Sequence, residues 1–508
     1  MNKKTLGILL LILAAMCIIA FILIGPPAQE PAAAVHTMPS ETPAQTQASA
    51  TPIPTVNLEI LEPEPNRPAP LYVFIMIGDG MGKNQRQLAQ SYYSDVLGAG
   101  TLTMDSLPVS GAITTRSLNA RITDSAASAT AIATGYKTNN GMLSVTPDGK
   151  ELKTILEEAE EKGLSTGLVT TTNLTNATPA AFAAHESKRT ADSKIALDYL
   201  VSGVDFFAGG GSAYFLPASH SGGTDAAGAA LKSSRSDGED PLGRLKENGY
   251  LTFIGAQGAA DFFEYEPMRG DRVFAAFSNS NMPYEADRVT DNINVPTLSQ
   301  MTQKAIETLV TDEDGFVLMV EGGRIDHACH INDTKSAVLE TLAFDEAVKA
   351  AYDFYLTYPE DTLLIVVADH ETGGLGFKDG GPKPQYLSGV KASIADRIQK
   401  AYKGDREAFY AFIAESLGLG DLNPSERARI DKALKAADKA DPKKGYGPVV
   451  ALAISKVISD RAGVSWSSTG HTDARVPLTA VGYMAEELSQ VGDNADLGRF
   501  LFDVLSSR

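Results

Sequence analysis

The chain has 508 residues, of which 43% are hydrophobic and 7% aromatic. This is enough apolar material for one large α/β domain or two smaller ones, and it excludes a chain that is disordered throughout. The formal net charge of −19 excludes nucleic acid or an anionic membrane surface as the main partner. An anionic substrate is not excluded, because bound metal ions can reverse the field inside a site.

The N-terminus has the composition of a targeting segment. Lys3 and Lys4 precede an unbroken apolar run from Leu6 to Ile24, which is longer than the apolar region of a typical signal peptide and about long enough to span a bilayer. The lysines favour an inside N-terminus, so the rest of the chain would be extracytoplasmic. We predict that residues 1–25 form a membrane anchor; a cleaved signal peptide, and hence a secreted protein, is the alternative.

The chain changes composition twice after this run. Residues 26–68 are rich in Pro, Ala, Thr, Gln and Glu, a composition that cannot bury a core and that predicts an extended linker. Residues 69–508 are predicted to form the folded domain. Cys17 lies in the apolar run and leaves Cys329 without a partner in that domain, so we expect no intramolecular disulfide.

Three apolar segments of the domain end in a carboxylate. They are Tyr72–Ile77 before Asp79, Phe316–Val320 before Glu321, and Leu363–Ala368 before Asp369 and His370. Strands that are apolar on both faces predict a mainly parallel or mixed α/β sheet. Ligands of such sheets bind beyond the carboxyl ends of the strands, so we expect the three acids to converge on one site.

Clustered carboxylates raise one another's pKa unless cations neutralise them. Asp326 and His330 are four residues apart, which places them on one face of a helix start, and Asp369 with His370 offers a second oxygen and nitrogen pair. Mixed His and Asp ligands suit zinc, whereas oxygen ligands alone suit magnesium. His471, in "TGHT", is the third histidine in such a context. These residues predict a metal centre.

The segment "TDSAASATA" predicts a helix that begins at Thr123, Asp124 or Ser125. Backbone N–H groups at a helix start favour an anion, and a serine there, close to zinc, can attack phosphorus. The alternative is a helix of small residues that only packs tightly.

Two longer segments carry no recognisable chemistry. Residues 386–462 are predicted to be a largely helical insertion, with Asn423 or Ser425 as a cap and Pro424 in the first turn. It would roof the site or meet another subunit, and a solvated decoration is an equal alternative. Residues 203–270 are predicted to be loops that shape the rim of the site.

Six motifs, taken together, closely resemble the alkaline phosphatase family. In chain order they are "DGMG", "TDSAASATA", "NATPAAFAAHESKR", "VEGGRIDHACH", "ADHETGG" and "TGHT". The resemblance covers about residues 70–385 and 465–485. It implies a three-layer α/β/α sandwich with a mainly parallel, mixed central sheet and the helical insertion. It also implies hydrolysis of small phosphate monoesters to inorganic phosphate through a phosphoserine, with two Zn²⁺ and one Mg²⁺.

The resemblance assigns roles to individual residues. Ser125 would be the nucleophile and Arg189 would hold the phosphate. The metal ligands would be Asp326, His330 and His471 for one zinc, Asp369 and His370 with Asp79 for the other, and Thr178 and Glu321 with Asp79 for magnesium. Asp124, Asn176 and His327 would support the site or contact phosphate. Asn176 stands where the family usually has Asp or His, so the expectation for the third metal is weaker.

Two other functions compete with this one. A phosphodiesterase on the same fold is one, with Thr123 as the fallback nucleophile. A tethered binding protein with a defunct site is the other; it would need lost ligands, but every zinc position is filled. The expected partners are small phosphate esters and, through the N-terminus, a membrane; a homodimer is also considered.

Overall fold

The computed structural model describes residues 69–439 and 448–506. The predicted anchor and linker lie outside these residues. None of the helices within them is long and apolar enough to cross a membrane.

The strands define the frame of the domain. They are β1 (Tyr72–Ile77), β2 (Val109–Ile113), β3 (Ser165–Asn173), β4 (Phe206–Gly210), β5 (Tyr250–Ile254), β6 (Arg272–Ala276), β7 (Phe316–Glu321), β8 (Thr362–Val367), β9 (Glu371–Thr372), β10 (Leu375–Phe377), β11 (Val464–Trp466), β12 (His471–Thr472) and β13 (Val476–Gly482).

Helices fill most of the connections. They are α1 (Lys83–Asp95), α2 (Thr103–Ser106), α3 (Ser125–Thr134), α4 (Ile155–Glu161), α5 (Ala177–Ala183), α6 (Asp192–Asp198), α7 (Pro241–Glu247), α8 (Gly255–Glu264), α9 (Glu285–Thr290), α10 (Leu298–Leu309), α11 (Arg324–His330), α12 (Thr334–Thr357), α13 (Gln399–Ala401), α14 (Arg406–Leu417), α15 (Pro424–Ala437), α16 (Val449–Arg461) and α17 (Asn494–Ser506). Short 3₁₀ turns lie at Ser212–Tyr214, Pro384–Leu387 and Ala485–Gln490, and a π-helical turn at Ile394–Ile398.

The central sheet has nine strands in the order β2-β13-β8-β1-β7-β3-β4-β6-β5. Only β13 runs against its neighbours, so the sheet is mixed and mainly parallel. Every residue of β1, β7 and β8 is buried, which means that both faces of the sheet are covered. The predicted α/β sandwich with a mixed central sheet is confirmed.

The three strands predicted to end in acid are neighbours at the centre of the sheet. Ile77 at the end of β1 pairs with Glu321 on one side and with Val367 on the other. This common register brings the carboxyl ends of β8, β1 and β7 to one level. The polar residues after each strand therefore meet, as the sequence predicted.

The helical insertion is bracketed by a two-stranded ladder in which β10 pairs with β11, Leu375 opposite Trp466. The helices between these strands bury a second apolar cluster, with Ile413, Ile430 and Ile454 at its centre. The helix predicted to start near Pro424 is confirmed. Its cap is Asn423, whose side chain accepts from two backbone N–H groups.

The prediction of loops over residues 203–270 is wrong in part. This stretch contains β4, β5, α7 and α8, and it builds the edge of the sheet farthest from β13. Two of the glycines that suggested a loop, Gly209 and Gly210, lie in β4. A Cβ on Gly210 would lie 2.1 Å from the Ser280 carbonyl oxygen, so the close approach of a neighbouring backbone explains the composition.

The last helix, α17, crosses α3 at very short range. A Cβ on Gly498 would lie 2.4 Å from the Ala131 carbonyl oxygen and 2.6 Å from the Gly135 nitrogen. Both atoms are backbone and cannot rotate away. The absence of a side chain at Gly498 therefore sets how closely the two helices pack.

We expect Gly498→Ala to destabilise the protein by about 1–3 kcal/mol, because the clash outweighs the helix propensity gained. Urea denaturation of wild type, Gly498→Ala and Gly492→Ala measures this. A Cβ on Gly492 would meet no other atom within 4 Å, so Gly492→Ala serves as the matched control. Equal stability of the two variants would contradict the close crossing.

Candidate active site

Three buried carboxylates meet at the ends of the central strands. Asp79, Glu321 and Asp369 are at most 2% exposed. Each has one oxygen without a hydrogen-bond partner among the described residues, namely Asp79 Oδ1, Glu321 Oε1 and Asp369 Oδ2. Buried polar atoms are normally paired. Three unpaired carboxylate oxygens in one place therefore indicate a binding site for divalent cations.

Histidines complete two groups of potential metal ligands. In the first, His370 Nε2 lies 3.4 Å from Asp79 Oδ1 and 3.2 Å from Asp369 Oδ2. The second group consists of Asp326, His471 and again His370, with His471 Nε2 3.6 Å from Asp326 Oδ1. His330 lies beside this group, its Nε2 3.1 Å from Asp326 Oδ2. Donor sets of this composition suit zinc.

The pKa shifts of these residues in the absence of a cation also indicate that a cation binds among them. Burial, and then the negative charges of Asp369 and Asp326, raise the pKa of Asp79. Burial also raises the pKa of Asp369 to about 8 and lowers the pKa of His370 well below its usual value. These groups resist charging when left alone, and a positive ion among them would favour the carboxylate and the neutral imidazole.

An oxygen-rich corner adjoins the first group. Thr178 Oγ1 lies 3.4 Å from Asp79 Oδ2, and Glu321 accepts hydrogen bonds at Oε2 from the hydroxyls of Thr170 and Thr172. These two threonines were not predicted, although "TTTN" at the end of β3 is a polar strand end like those of β1, β7 and β8. Asn176 caps α5, and its Oδ1 lies 2.6 Å from the Ala177 nitrogen.

Ser125 is the first residue of α3 and contacts the first ligand group. Its Oγ lies 3.2 Å from His370 Nε2. The helix begins where predicted, with Asp124 as its cap. Asp124 Oδ2 also accepts from Arg189 Nη1 at 3.1 Å, so the guanidinium is held by the residue that precedes Ser125. The hydroxyl of Thr123, the alternative nucleophile, donates instead to the backbone carbonyl of Asp124.

Other polar contacts support the ligands and were not predicted. Thr372 Oγ1 donates to Asp326 Oδ1 at 2.5 Å and lies 3.2 Å from His370 Nδ1, so it links the two groups. Ser128 Oγ donates to the Asp369 carbonyl at 2.6 Å and accepts from Asn494 Nδ2 at 2.7 Å. Such outer contacts orient metal ligands. Thr372 lies within the motif "ADHETGG", but nothing in the sequence pairs Asn494 with Ser128.

His185 is not among the candidate ligands. Its ring lies between Glu157 Oε1 and the Ser144 carbonyl, 2.9 Å from each. Next to it, Glu186 and Leu143 exchange backbone hydrogen bonds. The ion pair thus fastens the segment that leads to Arg189.

The fold and these side chains define a metal-binding α/β enzyme with a serine at a helix start. A family model described as alkaline phosphatase matches residues 72–507. The chain therefore belongs to the alkaline phosphatase family of phosphoric monoester hydrolases.

Individual relatives agree. Alkaline phosphatase 4 of Bacillus subtilis is 32% identical over 450 residues, covering 86% of this chain and 88% of the relative. The repressible alkaline phosphatase of Saccharomyces cerevisiae is 31% identical over 478 residues, covering 85% and 81%. Among solved structures, the alkaline phosphatase of Thermus thermophilus has 29% identity and a TM-score of 0.73, covering 87% of this chain and 92% of that one. The cold-active enzyme of Shewanella sp. has 30% identity and a TM-score of 0.70, covering 86% and 99%.

Ser128→Ala should weaken zinc binding at the Asp369 group, because the Asp369 carbonyl and the Asn494 amide would each lose a buried partner. We expect the free energy of zinc binding to become less favourable by about 1–3 kcal/mol. Competition with a chromogenic chelator measures zinc affinity. Thr134→Val, which removes another buried hydroxyl of α3 that bonds only within or just after that helix, is the control. Identical zinc affinities in both variants would exclude this role.

The ion pair of His185 predicts a dependence of stability on pH. Although burial opposes it, the hydrogen bond to Glu157 raises the pKa of His185 from 6.5 to about 9. A raised folded-state pKa gives stability that is full below about pH 6.5 and is lost as the pH rises through about 9. The difference in unfolding free energy between wild type and His185→Gln should therefore shrink between pH 6 and 10. A difference that stays constant would contradict the pair.

Proposed function

We propose that this protein hydrolyses phosphate monoesters as an alkaline phosphatase, through a phosphoserine on Ser125. The observation that carries the proposal is the position of Ser125 Oγ, 3.2 Å from His370 Nε2 at the edge of the first ligand group. A serine hydroxyl is a weak nucleophile unless a base or a metal activates it, and the first ligand group is where a metal would do so.

The residues present fit two zinc ions and one magnesium ion. Asp326, His330 and His471 would hold one zinc; Asp79, Asp369 and His370 would hold the other. Asp79, Thr178 and Glu321 would hold magnesium, supported by the orphaned oxygen of Glu321. When bound, the ions supply Lewis acidity and positive charge to the reacting phosphoryl group. Asn176 contributes no charge at the third site, so magnesium would bind there less strongly than at a site with an added carboxylate.

The chain's own groups then carry the steps. Asp124 caps α3 and fixes Ser125 Oγ at the helix start, where backbone N–H groups favour negative charge. Ser125 gives up its hydroxyl proton and its Oγ attacks phosphorus, while the bond from phosphorus to the leaving oxygen breaks in line and that oxygen gains a proton. Water next attacks the phosphoserine, which releases inorganic phosphate and restores the hydroxyl of Ser125.

Arg189 gives the site its preference for a dianion. Its Nη1 is held by Asp124 at 3.1 Å, which leaves other N–H groups of the guanidinium for two non-bridging phosphate oxygens. The charges point the same way. Three divalent cations opposed by Asp79, Glu321, Asp326, Asp369 and an ionised Ser125 leave about one positive charge, which Arg189 increases. An acidic protein can thus attract a phosphate dianion.

The N-terminal segment completes the proposal. An apolar run, residues 6–24, follows Lys3 and Lys4. This pattern supports the proposal that the enzyme is held at a membrane, or secreted after cleavage, with its catalytic domain outside the cytoplasm. Its substrates would be small soluble phosphate monoesters.

Hydrolysis of p-nitrophenyl phosphate and of bis-p-nitrophenyl phosphate by the full-length enzyme with zinc and magnesium tests the function. We expect strong preference for the monoester, because only the dianion uses Arg189 fully. Ser125→Ala should lower turnover by about a thousandfold or more and keep its zinc.

Thr123→Ala is the matched comparison, since Thr123 is the fallback nucleophile. Preference for the diester would move the function to the phosphodiesterase alternative. Loss of turnover in Thr123→Ala, with Ser125→Ala active, would identify Thr123 as the nucleophile in place of Ser125.

A further inference from the structure

A cavity of about 430 Å³ lies between the helical insertion and the loop that leads to His471. Its lining combines an aromatic ring, an aliphatic side chain, a lysine and three hydroxyl residues, namely Trp466, Leu452, Lys456, Ser467, Ser468 and Thr469. Leu452 and Lys456 belong to α16 of the insertion, and Trp466 ends β11. The cavity is large enough to hold a small organic molecule.

The cavity adjoins the second ligand group. The carbonyl oxygen of Thr469, a lining residue, lies 2.6 Å from His330 Nδ1. The other nitrogen of that ring, Nε2, lies 3.2 Å from His471 Nε2. One imidazole ring therefore separates the cavity wall from the metal ligands. The side chain of His330 is 39% exposed, against 13% for His471 and 6% for Asp326, so this group opens to solvent on the side of His330.

Trp466 gives the cavity a rigid aromatic wall. Its Nε1 donates to Thr334 Oγ1 at 3.1 Å and to Ser459 Oγ at 3.2 Å. The far edge of the ring packs on Gly373 of "ADHETGG", where a Cβ would lie 2.5 Å from Trp466 Cε3. Both edges are thus in contact with protein, so the ring lines the cavity with a face. Such a face binds another planar ring by stacking.

The polar residues of the lining and the distance to the metal ligands narrow the choice of ligand. Ser467, Ser468, Thr469 and Lys456 are all exposed and can hydrogen-bond the polar edge of a nucleobase, which a hydrocarbon ring does not have. A phosphate among the metal ligands would lie on the far side of His330 from the cavity. The ring and the phosphate therefore need a spacer, and in a nucleoside 5′-monophosphate the ribose is that spacer.

We propose that this cavity binds the base of a nucleoside 5′-monophosphate, stacked on Trp466, while the phosphate of the same molecule lies at the metal ligands. Trp466 is then a specificity-determining residue, and α16 of the insertion forms one wall of the substrate site. The proposal rests on the proposed function for the reaction. Water would break the bond between phosphorus and the 5′ oxygen, which takes up a proton, and the products would be a nucleoside and inorganic phosphate.

Binding of the base can be measured without turnover. Trp466 is the one tryptophan in the sequence, so the tryptophan fluorescence of the full-length protein reports on this ring alone. Adenosine, which carries no phosphate, should quench that fluorescence in a saturable way because its base stacks on the ring. Ribose, which has no base, should leave the fluorescence unchanged.

The effect on catalysis is measured with adenosine 5′-monophosphate and ribose 5-phosphate, which differ only in the base. In the enzyme loaded with zinc and magnesium, we expect kcat/KM to be about tenfold higher for the nucleotide, as stacking of one base on an aromatic side chain allows. In Trp466→Leu the ratio of the two kcat/KM values should fall towards one. Trp466→Phe keeps a ring and should retain part of the preference.

Leu452→Phe tests the cavity without changing the tryptophan. The larger side chain would fill part of the space, so the preference for the nucleotide should fall. Val449→Phe is the matched control, because Val449 is an exposed residue of the same helix and is not in the lining. If Trp466→Leu does not fold, Leu452→Phe takes its place in the test.

Fluorescence that does not respond to adenosine would overturn the proposal. So would equal kcat/KM values for the two substrates in the wild type, or a preference for the nucleotide that survives in Trp466→Leu. Equal ratios in Leu452→Phe and Val449→Phe would likewise exclude the cavity as the site of the base. Failure of the proposed function is a separate result, in which adenosine quenches Trp466 but the wild type does not hydrolyse p-nitrophenyl phosphate.

Discussion

The whole structure depends on keeping negative charge buried at the centre of a sheet. Asp79, Glu321 and Asp369 are each at most 2% exposed, and they lie together because three parallel strands end at one level. Bare carboxylates in such a place would have to take up protons. Their orphaned oxygens, and the histidines at hydrogen-bond distance from them, are reconciled only if cations bind among them.

The elements around the site hold these carboxylates and histidines in position. On one side, α3 carries Ser125 and is fastened to the Asp369 carbonyl by Ser128, to Asn494 through the same hydroxyl, and to α17 by close packing at Gly498. On the other, α11 carries Asp326 and His330. It is joined to the insertion through Arg324, whose guanidinium donates to Asp396 and contacts His327. The site is therefore rigid because its ligands are held from behind, as a metal centre of defined geometry requires.

Much of this could be predicted from the sequence, and the reason is physical. Buried parallel strands have to be apolar, so an acid directly after one is conspicuous, and the positions of Asp79, Glu321 and Asp369 followed from it. The helix starts at Asp124 and Asn423 were predictable because capping is local. What the sequence did not reveal depends on pairs distant in the chain: Asn494 with Ser128, Asp396 with Arg324, Thr170 with Glu321. Gly210 misled for a related reason, since only the neighbouring backbone explains that glycine.

The measurement that tests the account most directly is the metal content of the full-length protein, by inductively coupled plasma mass spectrometry, together with anomalous diffraction at the zinc edge. The account predicts two zinc ions per chain, one among Asp79, Asp369 and His370 and one among Asp326, His330 and His471, with a lighter ion beside Glu321. An active enzyme with less than one divalent ion per chain would contradict it, because the buried carboxylates would then be neutralised in another way.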